Sequence, residues 1–225
     1  MSLNQRANRR DPRLTVRSVA PLFALLVIPS ALAQDARVEE LFPGVERSKR
    51  LPGADTPLFV ATQNTIDART GQFVALTYYQ HYPGGSGLRQ GNYALLKRTG
   101  GGYVVLLDTL ADDGGSSLRY EVPFRYEVSG VELVVYAICY RGCRYSFYRL
   151  ADPPSAIEIQ AYNGLRDGES FVHRDPFRFD SAGLGRTRNV SRREDPICCP
   201  SGGSVHISYR LEGDSFMISE AVRTE

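Results

Sequence analysis

The chain has no tryptophan, two methionines and three histidines, and its 27 lysines and arginines include only two lysines, Lys49 and Lys97. Neither sign of charge is in excess: 25 acidic residues leave a formal +2. That balance excludes the strongly basic face that nucleic acid or an anionic bilayer selects. No apolar run reaches the roughly 18 to 20 residues a spanning helix requires. Several catalytic signatures are missing as well. No glycine loop ends in the Lys-Ser/Thr of a phosphate-binding loop, and no Gly-x-Gly-x-x-Gly opens a helix. Neither a Gly-x-Ser-x-Gly elbow nor a His-Glu-x-x-His pair occurs. The residues thus point to no cofactor, no metal and no recognisable catalytic centre.

What is present begins with an address. Arg6, Arg9, Arg10, Arg13 and Arg17 precede the apolar run Ala20-Pro21-Leu22-Phe23-Ala24-Leu25-Leu26-Val27-Ile28, and the small-x-small site Ala31-Leu32-Ala33 follows Pro29. This is the build of a cleaved secretory signal peptide over residues 1–33, with no membrane insertion after cleavage. Without the leader's five arginines and one aspartate, 22 basic and 24 acidic residues remain, a charge near −2. The preference for arginine over lysine suits a GC-rich bacterial genome, so the expected location is periplasmic or extracellular. Residues 34–56 hold a short acidic stretch, Asp35 to Leu41, with room for a helical turn or two, then Pro43 and Pro52 among charges. They read as a linker or wrapping arm.

Residues 57–225 read as a single β-rich domain. Short apolar runs separated by glycine-bearing turns predict consecutive antiparallel strands. Val122, Phe124, Tyr126 and Val128 alternate with Glu121, Pro123, Arg125 and Glu127, giving one apolar and one wet face. Pro123 requires an edge strand or a bulge. Ser129-Gly130 supplies a two-residue turn into Val131 to Tyr140, continuous enough in apolar residues to be covered on both faces, and Cys143 to Leu150 runs back. Phe73 to Gln80, Tyr93 to Arg98 and Tyr103 to Leu110 add three strands, and Val205 to Leu211 with Phe216 to Glu220 form a terminal hairpin. Ser155 to Tyr162 alternates weakly and is read as strand. The expected fold is mainly β, an antiparallel meander forming a sandwich, barrel or curved sheet with few short helices. Residues 181–204, rich in Gly, Arg, Ser and Pro without periodicity, read as a long surface loop.

Four cysteines in an exported chain predict disulfides, and three connectivities are open. If Cys139 and Cys143 flank a hairpin turn they face one another across it, which leaves the adjacent Cys198 and Cys199 to each other. Such a vicinal ring is strained and easily reduced. In the two crossed patterns the hairpin tip is stapled to the long loop, closing loops of roughly 55 to 60 residues worth about 4 kcal/mol each. Zinc is disfavoured because the Cys-x2-Cys knuckle spacing is missing.

Glu194-Asp195-Pro196-Ile197-Cys198-Cys199-Pro200-Ser201, followed by Tyr209-Arg210-Leu211-Glu212-Gly213, resembles a motif of uncharacterised exported bacterial β-rich proteins. These carry Asp-Pro-x-Cys-Cys-Pro-Ser before a final Tyr-Arg-Leu-x-Gly hairpin. The resemblance implies a secreted β-rich module and no particular activity. Cys139 and Cys143 lie outside it.

Tyr78, Tyr79, His81 and Tyr82, just before Pro83-Gly84-Gly85-Ser86-Gly87, are the candidate binding residues: an aromatic patch beside a glycine loop suits a protein or carbohydrate ligand, against the plainer reading of a strand end and its turn. His206 falls on the outward phase of the last hairpin, and His173 reads as a loop residue. The sequence therefore predicts a non-catalytic binding or interaction module. The alternatives are a thiol-disulfide active protein using Cys198-Cys199 and a hydrolase whose groups leave no motif.

Overall fold

A computed structural model describes residues 58–81, 89–112, 119–139, 142–172, 176–196 and 199–224. The expected leader (residues 1–33) and the expected arm (34–56), together with Tyr82, His173 and Cys198, lie outside these residues. Among the described residues there are strands and turns and no helix.

The first layer is a four-stranded antiparallel sheet of β1 (Phe59–Ala68), β2 (Gly71–His81), β3 (Arg89–Thr99) and β4 (Gly102–Asp112), paired in chain order. β2 and β3 are apolar on both faces. Phe73, Ala75, Tyr93 and Leu95 form one side, and Val74, Leu76, Ala94 and Leu96 the other. β1 lacks that pattern because two of its inward positions are polar. Thr62 Oγ1 donates to the Glu121 carbonyl at 3.0 Å and Asn64 Nδ2 to the Pro123 carbonyl at 2.8 Å. They satisfy backbone groups that no ladder reaches.

Those carbonyls belong to the break that Pro123 was expected to cause. β5 (Arg119–Tyr120) and β6 (Phe124–Val128) both pair with β7 (Val131–Cys139), and residues 121–123 interrupt the ladder between them. Tyr120 faces Ile138 and Phe124 faces Val135, so the β5–β6 side carries one extra residue, a bulge. Ser129 and Gly130 turn the chain with φ of 50° and 76°, the double positive φ that lets a two-residue hairpin follow strand twist.

β7 is buried from Glu132 to Ile138 and serves two cores. Val134, Tyr136 and Ile138 pack against Phe73, Tyr93 and Leu95 of the first sheet, where the Tyr93 and Tyr136 rings stack at 4.5 Å and Tyr136 donates its hydroxyl to the Ala94 carbonyl at 2.8 Å. Leu133 and Val135 face the opposite way, into the largest core, with Phe147, Phe177, Ile207 and Phe216. The sheet that encloses this core continues from β7 through β8 (Cys143–Arg149), β9 (Ala156–Ile159), β14 (Ser215–Thr224), β13 (Ser204–Glu212) and β12 (Leu184–Arg192) to β10 (Glu169–Phe171), with β11 (Arg178–Phe179) also on β12. It curves so that both ends share one apolar interior, and it does not close into a barrel. β9 and β14 run parallel, the exception in an otherwise antiparallel fold.

One expectation holds only in part. Residues 181–204 are not one long surface loop: nine of them form β12, paired with β13, β10 and β11, and residues 193–203 connect β12 to β13. Its inward phase is Leu184, Arg186, Arg188 and Val190. Arg186 lies over the Phe177 ring at 4.8 Å and Arg188 over the Phe171 ring at 3.9 Å, so guanidinium planes fill positions where apolar residues would have announced a strand.

The cysteine pairing is also decided here. Cys139 and Cys143 face one another at the β7–β8 turn and are bonded, which removes both crossed patterns. With a sequence separation of four, this bond restricts the unfolded chain little, roughly 2 kcal/mol against about 4 for a crossed bridge. The Cys139→Ser/Cys143→Ser variant is accordingly expected to lose about 2 kcal/mol in urea unfolding without reductant. A loss of about 4 kcal/mol or more would indicate longer bridged loops.

Candidate functional site

Two regions combine unusual side chains with exposure. The first is the end of the molecule at which β2, β4, β5, β7 and β8 meet their connections. His81 faces Arg89, Gly91 faces Asp112, Arg119 faces Cys139, and the disulfide closes the same end. Between the two sheets lies an aromatic cluster. The Tyr79 ring is stacked on Phe59 at 5.6 Å and on Tyr120 at 5.8 Å, and His81 meets Tyr79 edge-on at 5.4 Å. All four rings are half-buried.

The cluster depends on strand phase and on one glycine. β1 and β2 pair Phe59 with Tyr79, which places those rings side by side, and β5 delivers Tyr120 from the other sheet. At Gly91, opposite Tyr79, a Cβ would lie 2.9 Å from Tyr120 Cε1 and 3.2 Å from Ile138 Cδ1, so any larger residue would push Tyr120 out of the stack.

Of the predicted patch, Tyr79 and His81 are in this cluster and Tyr78 is not. Period two sends Tyr78 to the opposite face of β2, where it is buried and donates its hydroxyl to Asp108. Burial first, and the Asp108 carboxylate second, push its ionisation far above the ordinary tyrosine range. Tyr82 lies outside the described residues. Phe59 and Tyr120 were missed because each stands far in sequence from Tyr79, and only the pairing of β1 with β2 and the packing of β5 bring them together.

The second region is the segment that carries the cysteine pair. The Asp195 carboxylate accepts hydrogen bonds from Arg192 N at 2.7 Å, Ser201 N at 2.8 Å and Ser201 Oγ at 2.6 Å. The first and last residues of Asp-Pro-x-Cys-Cys-Pro-Ser thus clasp each other. The Ser201 hydroxyl, then the two backbone amides, hold the Asp195 carboxyl down at about 2. Next to the clasp, Gly202 and Gly203 bond Val190 on β12, at 2.9 Å in both directions. Arg223 reaches the Gly202 carbonyl at 3.0 Å and grips Glu169 bidentately at 2.6 and 2.8 Å. The Arg223 hydrogen bonds and the Arg166 amide hold Glu169 at about 2 as well. Cys199 is exposed beyond this clasp, and Cys198 lies outside the described residues.

An open groove of about 750 Å³ runs along the clasp, lined by Arg166, Asp167, Arg192, Arg193 and Glu194 together with Glu169 and Asp195. A carboxyl that acts as a general acid near neutrality has a raised pKa. Glu169 and Asp195 have the reverse: their lone pairs are taken and they stay ionised, which makes them anchors. Both shifts are downward, so what they contribute is complete above the unfolded carboxylate range near pH 4 and is lost as pH falls toward 2. Amide exchange at Ser201 is therefore expected to accelerate relative to Val205 over that window. Asp195→Asn is expected to show the fast exchange already at neutral pH.

Compared with known protein families the chain matches no family model, and no curated protein matches it.

Proposed function

We propose that the protein is an exported, non-catalytic binding module whose ligand sits on the aromatic end of the two-sheet framework. The observation that carries this reading is the partly exposed stack of Phe59, Tyr79 and Tyr120 with His81 at its edge. Large rings that remain half-exposed offer contact area at little entropic cost. The segments 82–88, 113–118 and 140–141 connect strands at this end and consist largely of Tyr, Ser and Gly, the composition of adaptable recognition loops on a rigid scaffold. Because both faces of Tyr79 are covered by Phe59 and Tyr120, the stack is a wall of ring edges and end faces. It suits a protein surface better than a single sugar ring, which seeks one open ring face. Export is supported by the Cys139–Cys143 bond, which persists in oxidising compartments.

The test is a binding screen of the mature chain against immobilised peptides and glycans, repeated with His81→Ala and Tyr120→Ala. The expected result is capture on a peptide surface that both substitutions weaken at least severalfold while Gly101→Ala, at the turn between β3 and β4 on the opposite end, retains binding. Binding that is indifferent to both aromatic substitutions would sink the reading.

A second reading is favoured by the cysteine inventory. The 139–143 bond leaves Cys198 and Cys199 with no other cysteine of this chain to pair with except each other. If they form a reducible pair, peptide mapping of the unreduced protein will show a Cys198–Cys199 linkage that exchanges under mild thiol.

A further inference from the structure

The outer face of the four-stranded sheet is buried without a described partner. Leu76, Ala94 and Leu96 have no exposed surface, and Leu58 and Val60 retain 2% and 1%. Among the described residues, this cluster contains only Leu58 and residues of β1, β2 and β3, with Val105 of β4 at its margin. The inner face of the same sheet is covered by Val134, Tyr136 and Ile138 of β7. Side chains standing in one row on a sheet cannot bury one another's tips, because they project side by side from the pleat toward a layer about 10 Å away. Something must occupy that layer. The same face also buries the side-chain oxygens Gln80 Oε1 and Asn92 Oδ1 with no hydrogen-bond partner among the described residues.

We infer that the cover is the chain's own segment 34–57, folded back over β1–β3 as a third layer. Three observations select it. The chain enters β1 through Leu58, which is itself part of the buried cluster. The segments 82–88 and 113–118 join strand ends and are too short to run along a face that eleven-residue strands make about 35 Å long. Residues 43–57, by contrast, reach up to about 50 Å when extended. Within the segment, Val38, Leu41 and Phe42 are spaced i, i+3 and i+4 ahead of Pro43, with Asp35, Glu39 and Glu40 on the remaining positions. That is one short amphipathic helical stripe, the element that covers a sheet face in layered folds.

Photo-crosslinking tests the arrangement. A benzophenone amino acid replaces Phe42 in the full chain produced by an exporting bacterial host, and adducts are mapped by mass spectrometry. The expected result is intramolecular adducts with peptides of β1–β3, together with a severalfold rise in dye fluorescence at exposed apolar surface when residues 34–56 are deleted. As a milder variant, Leu41→Asp is expected to raise the dye signal while strand content is retained. Adducts between two chains would assign the face to a second copy and overturn the inference. So would the absence of adducts on β1–β3, or a dye signal that the deletion leaves unchanged. None of these outcomes depends on ligand binding at the aromatic end.

Discussion

Replacing Gly183 with alanine is expected to lower the melting temperature by about 10 °C. A Cβ at this position would lie 1.9 Å from the Tyr209 carbonyl oxygen and 3.0 Å from its carbon. Both are backbone atoms of β13, held in register by the pairing of Leu184 with Tyr209, so no side chain can swing aside to make room. The Gly183 carbonyl also accepts the Tyr126 hydroxyl, whose second contact is the Asp180 carbonyl at 2.7 Å, and any shift of the turn would leave that hydroxyl poorly bonded inside the core. Overpacking of this kind costs about 3 kcal/mol, at the upper end of the usual range because backbone must move. A domain of this size converts each kcal/mol to roughly 2–4 °C. Gly101→Ala is the control, since nothing lies within 4 Å of its added Cβ, and the change should stay within about 0.5 kcal/mol. If thermal unfolding by circular dichroism shows both variants melting alike, the β11–β12 turn does not abut β13 as described.

The second large effect is expected from Phe147→Ala, a loss of about 3–5 kcal/mol. Phe147 is 2% exposed and stands at the junction of the two ends of the curved sheet. Its ring meets Phe216 at 5.4 Å, Phe177 at 6.0 Å and Phe179 at 6.3 Å, so truncation removes a shared partner from β11, from β14 and from the segment that carries Phe177. These rings come from separate parts of the chain and cannot close together around the gap, which places the cost near the top of the large-to-small range. Urea titration should show a lower midpoint with an unchanged slope. A loss below 1 kcal/mol would mean that the core does not join β8 to β14. Tyr145→Ala, at a half-buried ring on the same strand, should cost visibly less.

Much of the strand framework was legible in the residues because its signals are local. The alternation through Tyr126 and Val128, the Ser129-Gly130 turn, the bulge at Pro123 and the doubly buried β7 all follow from period, turn chemistry and the missing proline N–H. β1 and β12 were not legible for one shared reason. Thr62 and Asn64 in β1 and Arg186 and Arg188 in β12 occupy inward positions, where their polar groups are matched by carbonyls and aromatic rings contributed from distant segments. A polarity pattern read along the chain cannot show a partner that lies elsewhere in it.

The candidate sites divide the same way. Sequence singled out the Tyr-Tyr-x-His run and the Asp-Pro-x-Cys-Cys-Pro-Ser stretch, but not which residues of either act together. Strand phase separates Tyr78 from Tyr79, the pairing of β1 with β2 adds Phe59, and the packing of β5 adds Tyr120. The residues alone determined that this chain is built of short antiparallel strands and tight turns, and left three pairings of the four cysteines open, the one across the β7–β8 turn among them. Only the tertiary structure decided that Cys139 and Cys143 bond across that turn, that the second sheet curls around its own core, and which rings gather at one end. The physical reason is range: turns and alternation are settled by neighbours a few residues apart, whereas the face on which a side chain is covered depends on a segment of chain that only folding brings near.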